Sequence, residues 1–221
     1  MRMRSISAGF ILAVFVPVLL LAPATARADW PPTFWEEAST AETAAPIGVQ
    51  PVLYNVPDGS GAAFTQARII NGQTVNATIT LHLRDAGWNP IVGVPATDIW
   101  LEIYGTSGNF VACAGGTVAD GPTGADGTTT WQQPLRAGGW TQGPTAVMVW
   151  GLPLATNPGL VLRHNSPDLN GDGIVELRDV PLFAADFWAR QGAFRSDLHF
   201  DGVVNLSDIA PLANAMGAGC P

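Results

Sequence analysis

The sequence of 221 residues contains no lysine, and charged residues make up only 13% of it. Its ten basic side chains, all arginine, are outnumbered by 18 acidic ones, and the formal net charge is −8. Proteins bind nucleic acids largely through Lys and Arg contacts to phosphate groups. The composition therefore argues against a nucleic-acid partner.

Recognisable catalytic motifs are also missing. The sequence has no Gly-x-Ser-x-Gly elbow, no phosphate-binding glycine loop and no His/Cys set at zinc-ligand spacing. Its three histidines, His82, His164 and His199, are widely separated, and we expect His82, on the polar face of a strand, and His164, at a strand end, to be exposed or capping residues. The acidic residues of the middle region stand mostly at turns, where Asp bonds to nearby backbone. We therefore predict a protein that is not an enzyme.

Only one long hydrophobic run occurs, at the start of the chain. Arg2 and Arg4 precede an apolar stretch from about Ile6 to Leu21, and Ala26-Arg27-Ala28 follows it. This order is typical of a secretory signal peptide cleaved after Ala28, and the stretch is too short to favour a permanent anchor. We expect a soluble secreted protein, extracellular or at the cell surface, that carries seven arginines, 18 acidic residues and a formal net charge of −11.

Cysteine is scarce as well, with Cys113 and Cys220 as the only two. An exported protein reaches an oxidising compartment, where an even number of cysteines favours a disulfide. Neither cysteine has a second cysteine or a histidine at ligand spacing, which argues against a metal or catalytic role. The sequence favours a Cys113–Cys220 bond that ties the tail to the middle of the chain.

Residues 29–50 are rich in Ala, Thr, Pro and Glu and show no sustained period. Such a segment predicts a leader or linker that is disordered or only loosely docked. Trp30, Phe34 and Trp35 are the exception, because they can pack on the following domain or stack on a carbohydrate.

Residues 51–164 predict an all-β domain. Val75, Ala77, Ile79, Leu81 and Leu83 alternate with polar residues, as expected of a strand with one buried face. Shorter alternations predict further strands at 99–103, 146–150 and 159–163, and turn signals such as Asp85-Ala86-Gly87 and Asp126-Gly127 separate them. Many short strands in about 115 residues predict a β-sandwich.

Two turn segments of this region, Leu83 to Ile91 and Thr123 to Thr130, resemble those of bacterial Ig-like domains of the invasin and intimin type. The resemblance implies an Ig-like β-sandwich that serves as a spacer or display module. The fold alone argues for no particular function.

Two 12-residue segments, 168–179 and 197–208, have the pattern of calcium loops. Calcium binds six to eight oxygen atoms, and such a loop supplies them from positions 1, 3, 5, 7, 9 and 12, with glycine at position 6 for a sharp turn. The predicted ligands, with position 7 contributing its backbone carbonyl, are Asp168, Asn170, Asp172, Ile174, Glu176 and Asp179 in loop 1 and Asp197, Asp201, Val203, Asn205 and Asp208 in loop 2. Position 3 of loop 2 is His199, which suits zinc or copper better than calcium, so loop 2 is either a second calcium site or a decayed copy.

A short amphipathic helix is predicted after each loop. Val180, Phe183 and Phe187 follow loop 1, and Ile209, Leu212 and Met216 stand at the same positions after loop 2. Both sets fall on one helical face, and Pro181 and Pro211 fit the first turn of a helix. Asn165-Ser166-Pro167 cannot form the incoming helix of an ordinary EF-hand, so each repeat consists of a loop and an outgoing helix.

This tandem arrangement, at about residues 166–219, resembles a type I dockerin. The family's Asp-x-Asn-Gly-Asp-Gly opening stands at Asp168 to Gly173, and its Val-x-x-x-Asp ending at Val175 to Asp179. The resemblance implies a small α-helical, calcium-dependent module that docks onto a cohesin-like domain, as in the assembly of polysaccharide-degrading complexes. The partner would meet loop positions 10 and 11 and the following helix, that is Leu177, Arg178, Leu206 and Ser207, then Ala184, Ala185, Ala213 and Asn214. Packing of one repeat against the other is the alternative role of Leu177 and Leu206.

The sequence as a whole predicts a mainly β protein, with an Ig-like β-sandwich at 51–164 and a dockerin-like, EF-hand-like calcium module at 165–221. The function we favour is non-catalytic assembly or surface attachment, linked to polysaccharide degradation. One alternative is a carbohydrate-binding sandwich that uses exposed tryptophans, drawn from Trp88, Trp100, Trp131, Trp140 and Trp150. The other is a self-contained protein whose calcium module docks on its own sandwich.

Overall fold

The computed structural model describes residues 38–103, 107–154, 159–189 and 193–221. The predicted signal peptide lies outside these residues, and so do Trp30, Phe34 and Trp35 of the predicted leader. In the described part of the chain, no helix is long and apolar enough to cross a membrane.

Short β-strands dominate the structure, and two short α-helices follow near the C-terminus. The mainly β prediction is thereby confirmed, and the several sheets are consistent with a β-sandwich. The described strands are β1 (Thr40–Thr43), β2 (Val52–Tyr54), β3 (Ala67–Arg68), β4 (Thr74–Val75), β5 (Ile79–His82), β6 (Ile99–Ile103), β7 (Val111–Ala112), β8 (Thr128–Trp131), β9 (Ala137–Gly138), β10 (Thr145–Val149), β11 (Leu152–Pro153) and β12 (Arg163–Asn165). The helices are α1 (Asp179–Ala189) and α2 (Ile209–Asn214).

The described strands pair into four small sheets. Their orders are β1-β5-β8, β11-β10-β6, β12-β2-β3-β4 and β7-β9. Pairing is antiparallel except between β12 and β2, where Arg163 lies beside Val52 and Asn165 beside Tyr54. This parallel pair carries the chain out of the β-rich part (residues 38–165) and into the loop–helix segment (residues 166–221).

One hydrophobic core joins the first two sheets. Ile79 and Leu81 of β5 and Trp131 of β8 are fully buried, and they belong to the same cluster as Ile99 of β6 and Val149 of β10. The Trp131 indole Nε1 donates a hydrogen bond of 3.0 Å to the Thr117 carbonyl, which satisfies its polar atom inside the core. Trp131 is thus a core residue and cannot serve as a carbohydrate platform.

The prediction of one long strand over residues 75–83 is wrong in one respect. The predicted alternation of burial holds from Ala77 to Leu83, but the segment divides into β4 and β5, which belong to different sheets. Between them the Asn76 side chain accepts a hydrogen bond from the Thr78 N–H at 2.9 Å. This local side-chain bond competes with the strand ladder and breaks it.

The ends of the β-rich part also differ from expectation. Within the predicted leader, Thr40–Thr43 forms β1 and pairs with β5, because Ala38 and Ala41 are small apolar residues that fit the core edge. The closing strand predicted at 159–163 begins later, at Arg163, because Leu160 instead exchanges two backbone hydrogen bonds with Thr145 of β10.

A second apolar cluster forms within the loop–helix segment, and it has a period of 29 residues. Its buried members pair as Leu169 with Leu198, Val175 with Val204, and Phe183 with Leu212. Val56 of the β-rich part belongs to the same cluster, and Tyr54 packs against it. The two parts therefore share a core within one compact unit, Pro32–Pro221.

The predicted buried faces of the two helices are correct at Phe183 and Leu212, and Phe187 is half-buried against the same cluster, whereas Met216 is 38% exposed. Val180 and Ile209, expected on the same faces, are 40% and 41% exposed. The residue before each of them, Asp179 or Asp208, turns its carboxylate into the preceding loop. The residue that follows then points outward, because neighbouring residues of a helix face different directions.

A disulfide between Cys113 and Cys220 links the β-rich part to the C-terminal tail, with the two Cα atoms 5.4 Å apart. The tail pairs with loop 1 on its way to the disulfide: the Cys220 N–H donates to the Gly173 carbonyl at 2.9 Å, and the Val175 N–H donates to the Ala218 carbonyl at 2.8 Å. The disulfide therefore restrains loop 1 as well as the chain end.

Replacing both cysteines with serine should lower the free energy of unfolding. The bond spans 107 residues of sequence, and the chain-entropy model assigns about 4–5 kcal/mol to closing a loop of that size. Urea denaturation of the oxidised protein and of C113S/C220S measures the difference. Equal midpoints and equal slopes would contradict the expectation.

His164 of β12 is a fully buried polar residue at the centre of the β-rich part. Its Nε2 lies 2.9 Å from Thr145 Oγ1, and its Nδ1 lies 3.1 Å from Asn55 Nδ2. Burial lowers the pKa of His164 to about 3, so its ring is neutral in the folded protein. The sequence interpretation of His164 as an exposed or capping residue at a strand end is wrong, because other residues of the β-rich part enclose it, among them Phe110, whose ring centre lies 4.9 Å from the imidazole.

Acidification should destabilise the protein through His164. The unfolded chain protonates this ring near pH 6.5 while the folded protein does not, so stability that is present above pH 6.5 is lost as the pH falls. Relative to His164→Gln, the wild type should lose about 2 kcal/mol between pH 6.5 and pH 5. Denaturation curves of both proteins at several pH values test this, and parallel pH profiles would refute it.

Candidate metal centre

Loop 1 (Asp168–Asp179) and loop 2 (Asp197–Asp208) share one backbone geometry. Gly173 and Gly202, at position 6 of each loop, have φ angles of 86° and 84°. These values lie in the left-handed region that glycine adopts without strain. The sharp turn predicted from the sequence is thus present in both copies.

The first residue of each loop organises the turn. Asp168 accepts hydrogen bonds from the N–H groups of Gly171, Asp172 and Gly173 at 2.9, 3.2 and 2.8 Å. Asp197 does the same in loop 2, where it accepts from Asp201 at 3.1 Å and from Gly202 at 2.9 Å. A side-chain carboxylate thereby replaces the bonding partners that the turning backbone has lost.

The last residue of each loop closes it. The two carboxylate oxygens of Asp179 accept from the N–H groups of Asn170 and Glu176 at 3.0 and 2.8 Å. In loop 2, Asp208 accepts from His199 and Asn205 at 2.7 and 2.8 Å. The bonds again join positions 3, 9 and 12, so the duplication seen in the sequence extends to individual hydrogen bonds.

These four carboxylates are buried. The exposed fraction is zero for Asp168, Asp179 and Asp208 and 4% for Asp197. None of the salt bridges formed by the described residues reaches them, since Arg178 pairs with Asp172 and Glu176, and Arg195 pairs with Asp186. A buried charge without an opposite charge costs several kcal/mol.

The pKa values of Asp168 and Asp197 reflect this cost. Burial and, to a smaller extent, the nearby Asp179 carboxylate raise the pKa of Asp168 to about 6. The pKa of Asp197 is raised for the same reasons, with burial first and repulsion from Asp208 second. Each loop therefore concentrates negative charge at a place from which water is largely excluded.

The remaining predicted ligands lie closer to solvent. Asp172 at position 5 is exposed and accepts from the Asn170 amide Nδ2 at 2.9 Å. Glu176 Oε1 at position 9 is buried, lies 3.1 Å from Arg178 Nη1, and makes no hydrogen bond. In loop 2 the Asn205 amide oxygen instead accepts from the Ser207 N–H and hydroxyl and caps the turn before α2.

The donor set fits a hard divalent cation. A carboxylate has about four acceptor positions, so Asp179 and Asp208, which accept two N–H groups each, keep capacity for a metal. Oxygen atoms of Asp, Asn, Glu and backbone carbonyls are the ligands that calcium prefers. In the part of the chain that the structure describes, however, no three His, Cys, Asp or Glu side chains converge closely enough to hold a metal ion.

The predicted partner residues lie on the outside of the segment. Leu177 and Leu206 are 77% and 71% exposed, so the interpretation that they pack one repeat against the other is wrong. The repeats meet instead in the second apolar cluster, through positions 2, 8 and 16 counted from the first Asp of each loop. Arg178, Ala185, Ala213 and Asn214 are exposed, and Ala184 and Ser207 are half-buried.

Sequence reasoning missed that two further positions join Leu177 and Leu206 at the surface. Ile174 and Val203 at position 7 are 47% and 57% exposed, and Val180 and Ile209 follow each loop. We refer to these six side chains as the exposed apolar set. A signal in the sequence could have revealed this set. Its apolar residues recur after 29 residues, at positions that the loop geometry turns outward.

The tryptophans that the sequence offered as carbohydrate platforms differ in exposure. Trp88 is 66% exposed and sits in a turn with a φ angle of 64°. Trp100, Trp140 and Trp150 are half-buried, and Trp131 is inside the core. A platform of several aligned rings is not available among these five residues.

Comparison of the chain with protein-family models, with curated proteins and with solved structures gave no match.

Calcium titration should resolve the two loops. Asp172→Ala removes an exposed position-5 carboxylate from loop 1, and Asp201→Ala removes its equivalent from loop 2, so each variant should lose one site and keep the other. Asp58→Ala is the matched control, since Asp58 is an exposed residue of the β-rich part whose carboxylate accepts from the N–H and hydroxyl of Ser60. Calorimetry that finds the same stoichiometry for all three variants would contradict the assignment.

Proposed function

We propose that the protein is a secreted, non-catalytic calcium-binding protein. In this proposal the loop–helix segment is a dockerin-like module that attaches an Ig-like β-domain to an assembly or a surface. Loop 1 would hold calcium through Asp168, Asn170, Asp172, Glu176, Asp179 and the Ile174 carbonyl. Loop 2 would use Asp197, Asp201, Asn205, Asp208 and the Val203 carbonyl. Bound calcium supplies the positive charge that the buried carboxylates require.

The exposed apolar set carries the attachment part of the proposal. Large apolar side chains at the surface of a soluble protein mark interaction sites when they cluster, and single ones need no explanation. Here three such residues recur with the same spacing in both repeats, and Leu177 and Leu206 are the most exposed of them. A protein domain with an apolar binding face fits this chemistry, and the resemblance to dockerins names a cohesin-like domain.

Coupling to calcium follows from where these residues lie. Ile174 and Leu177 are inside loop 1, and Val180 follows Asp179, the closing carboxylate. A cation that fixes the loop also fixes the positions of these side chains. Preorganised binding groups give higher affinity, because less conformational entropy is lost on association.

A self-contained role is the second candidate, and the shared core supports it. Val56 belongs to the apolar cluster of the loop–helix segment, and the Tyr54 hydroxyl donates to the Pro211 carbonyl at 3.4 Å. In that case calcium stabilises the junction with the β-rich part, and no partner is required. A polysaccharide partner remains a weaker candidate, because among the five tryptophans considered only Trp88 is well exposed.

Partner binding should depend on Leu177 and Leu206 together. Replacing both with arginine puts two charges into the exposed apolar set and should abolish calcium-dependent binding to a panel of purified cohesin domains. Either single change should leave one intact repeat and a measurable affinity. Calorimetry with and without EGTA gives the affinities.

Val92→Arg is the matched control, since Val92 is 58% exposed but lies in the β-rich part. Retained binding by L177R/L206R would contradict the assigned surface. Failure of the wild type to bind any cohesin, with both calcium sites filled, would favour the self-contained role.

A further inference from the structure

Side chains of the β-rich part hold the backbone of both loops from outside. Asn109, just before β7, donates from Nδ2 to the Leu169 carbonyl at 3.0 Å, and Leu169 is position 2 of loop 1. The rest of Asn109 is fixed by Trp140, whose N–H donates to Asn109 Oδ1 at 3.1 Å and whose carbonyl accepts from the Asn109 N–H at 3.0 Å. Asn109 therefore fixes the first residues of loop 1 relative to the β-rich part.

Asn165 has the corresponding role at loop 2. From the end of β12, its Nδ2 donates to the Asp197 carbonyl at 3.0 Å and to the Phe194 carbonyl at 2.7 Å. Its Oδ1 accepts from the Ser166 N–H at 2.9 Å, and the residue is fully buried. Asp197 is position 1 of loop 2, so Asn165 fixes the residue whose carboxylate organises that loop.

The end of β9 fits closely around Asp168. The Gly139 N–H donates to the Asp168 carbonyl at 2.9 Å, and a Cβ atom added to Gly138 would overlap the Asp168 carboxylate. Only glycine at position 138 leaves room for that carboxylate beside the strand. Residues of the β-rich part therefore help to hold Asp168 in place, together with the residues of loop 1.

We propose that Asn109 and Asn165 are positioning residues for the two calcium loops, Asn109 for loop 1 and Asn165 for loop 2. The inference rests on the proposed calcium binding and adds that the β-rich part supplies the outer shell of both sites. Groups that orient metal ligands without touching the metal typically change its affinity by about 10–100-fold when removed. The two asparagines act on different loops, so their effects should be separable.

Calcium titrations in single-site backgrounds test this on the full mature chain. Asp201→Ala leaves loop 1 as the site under study, and Asp172→Ala leaves loop 2. Asn109→Ala should weaken calcium binding about 10–100-fold in the first background and by less than about twofold in the second. Asn165→Ala should show the opposite pattern.

Asn89→Ala is the matched control for loss of an asparagine. The Asn89 amide lies 3.2 Å from both carboxylate oxygens of Asp85, within one exposed turn of the β-rich part. Asn89→Ala should change the calcium affinity of neither loop. Asn165 is buried, so if Asn165→Ala shows no cooperative unfolding transition, the Asn109 arm decides the proposal.

Amide hydrogen exchange in EGTA provides a readout without calcium. Asn109→Ala should speed exchange at Gly171, Asp172 and Gly173, whose N–H groups bond to Asp168, and leave Asp201 and Gly202 unchanged. Equal effects on both loops, or no effect on either, would overturn the positioning role. If the wild type binds no calcium the proposed function fails, and the exchange experiment still decides whether Asn109 orders loop 1.

Discussion

The bonds between buried carboxylates and backbone N–H groups are the interaction on which the loop–helix segment depends. Asp168 and Asp179 hold loop 1, and Asp197 and Asp208 hold loop 2, each by accepting at least two N–H groups. The loops need these charges in order to turn, and the charges need compensation because they are buried. In the proposed function, a bound divalent cation would supply that compensation, and its binding energy would become folding energy.

The same constraint shapes the surface. With Asp179 and Asp208 turned inward, the next residue of each repeat, Val180 or Ile209, has to face outward. Positions 2, 8 and 16 can then bury apolar side chains between the repeats and against Val56 of the β-rich part. The buried residues build the junction with the β-rich part, and the exposed apolar set is the surface that the proposed function assigns to a partner. Attachment and self-docking are therefore compatible uses of one segment.

Sequence reasoning predicted the features that depend on local chemistry. Glycine at position 6, aspartate at positions 1 and 12, the helix starts and the alternation through Ile79 and Leu81 all follow from short-range rules. It failed where long-range packing decides. Leu160 pairs with β10 instead of opening β12, and His164 is enclosed by Asn55 and Phe110, which lie far from it in the sequence. Asn76 is a local failure, because its side-chain bond to the Thr78 N–H ends the strand that the alternation predicted to continue. The contacts of Asn109 and Asn165 with the loops span 60 and 32 residues, a separation at which no sequence pattern is visible.

The most direct test of the account is anomalous diffraction from crystals of the protein grown with calcium. Two peaks are predicted, one in each loop, with carboxylate oxygens of Asp168 and Asp179 or of Asp197 and Asp208 at about 2.3–2.6 Å. The account would be contradicted if the loops kept the same backbone geometry but showed no peak at calcium concentrations well above the millimolar range. The buried carboxylates would then have to be stabilised by backbone hydrogen bonds and protonation alone.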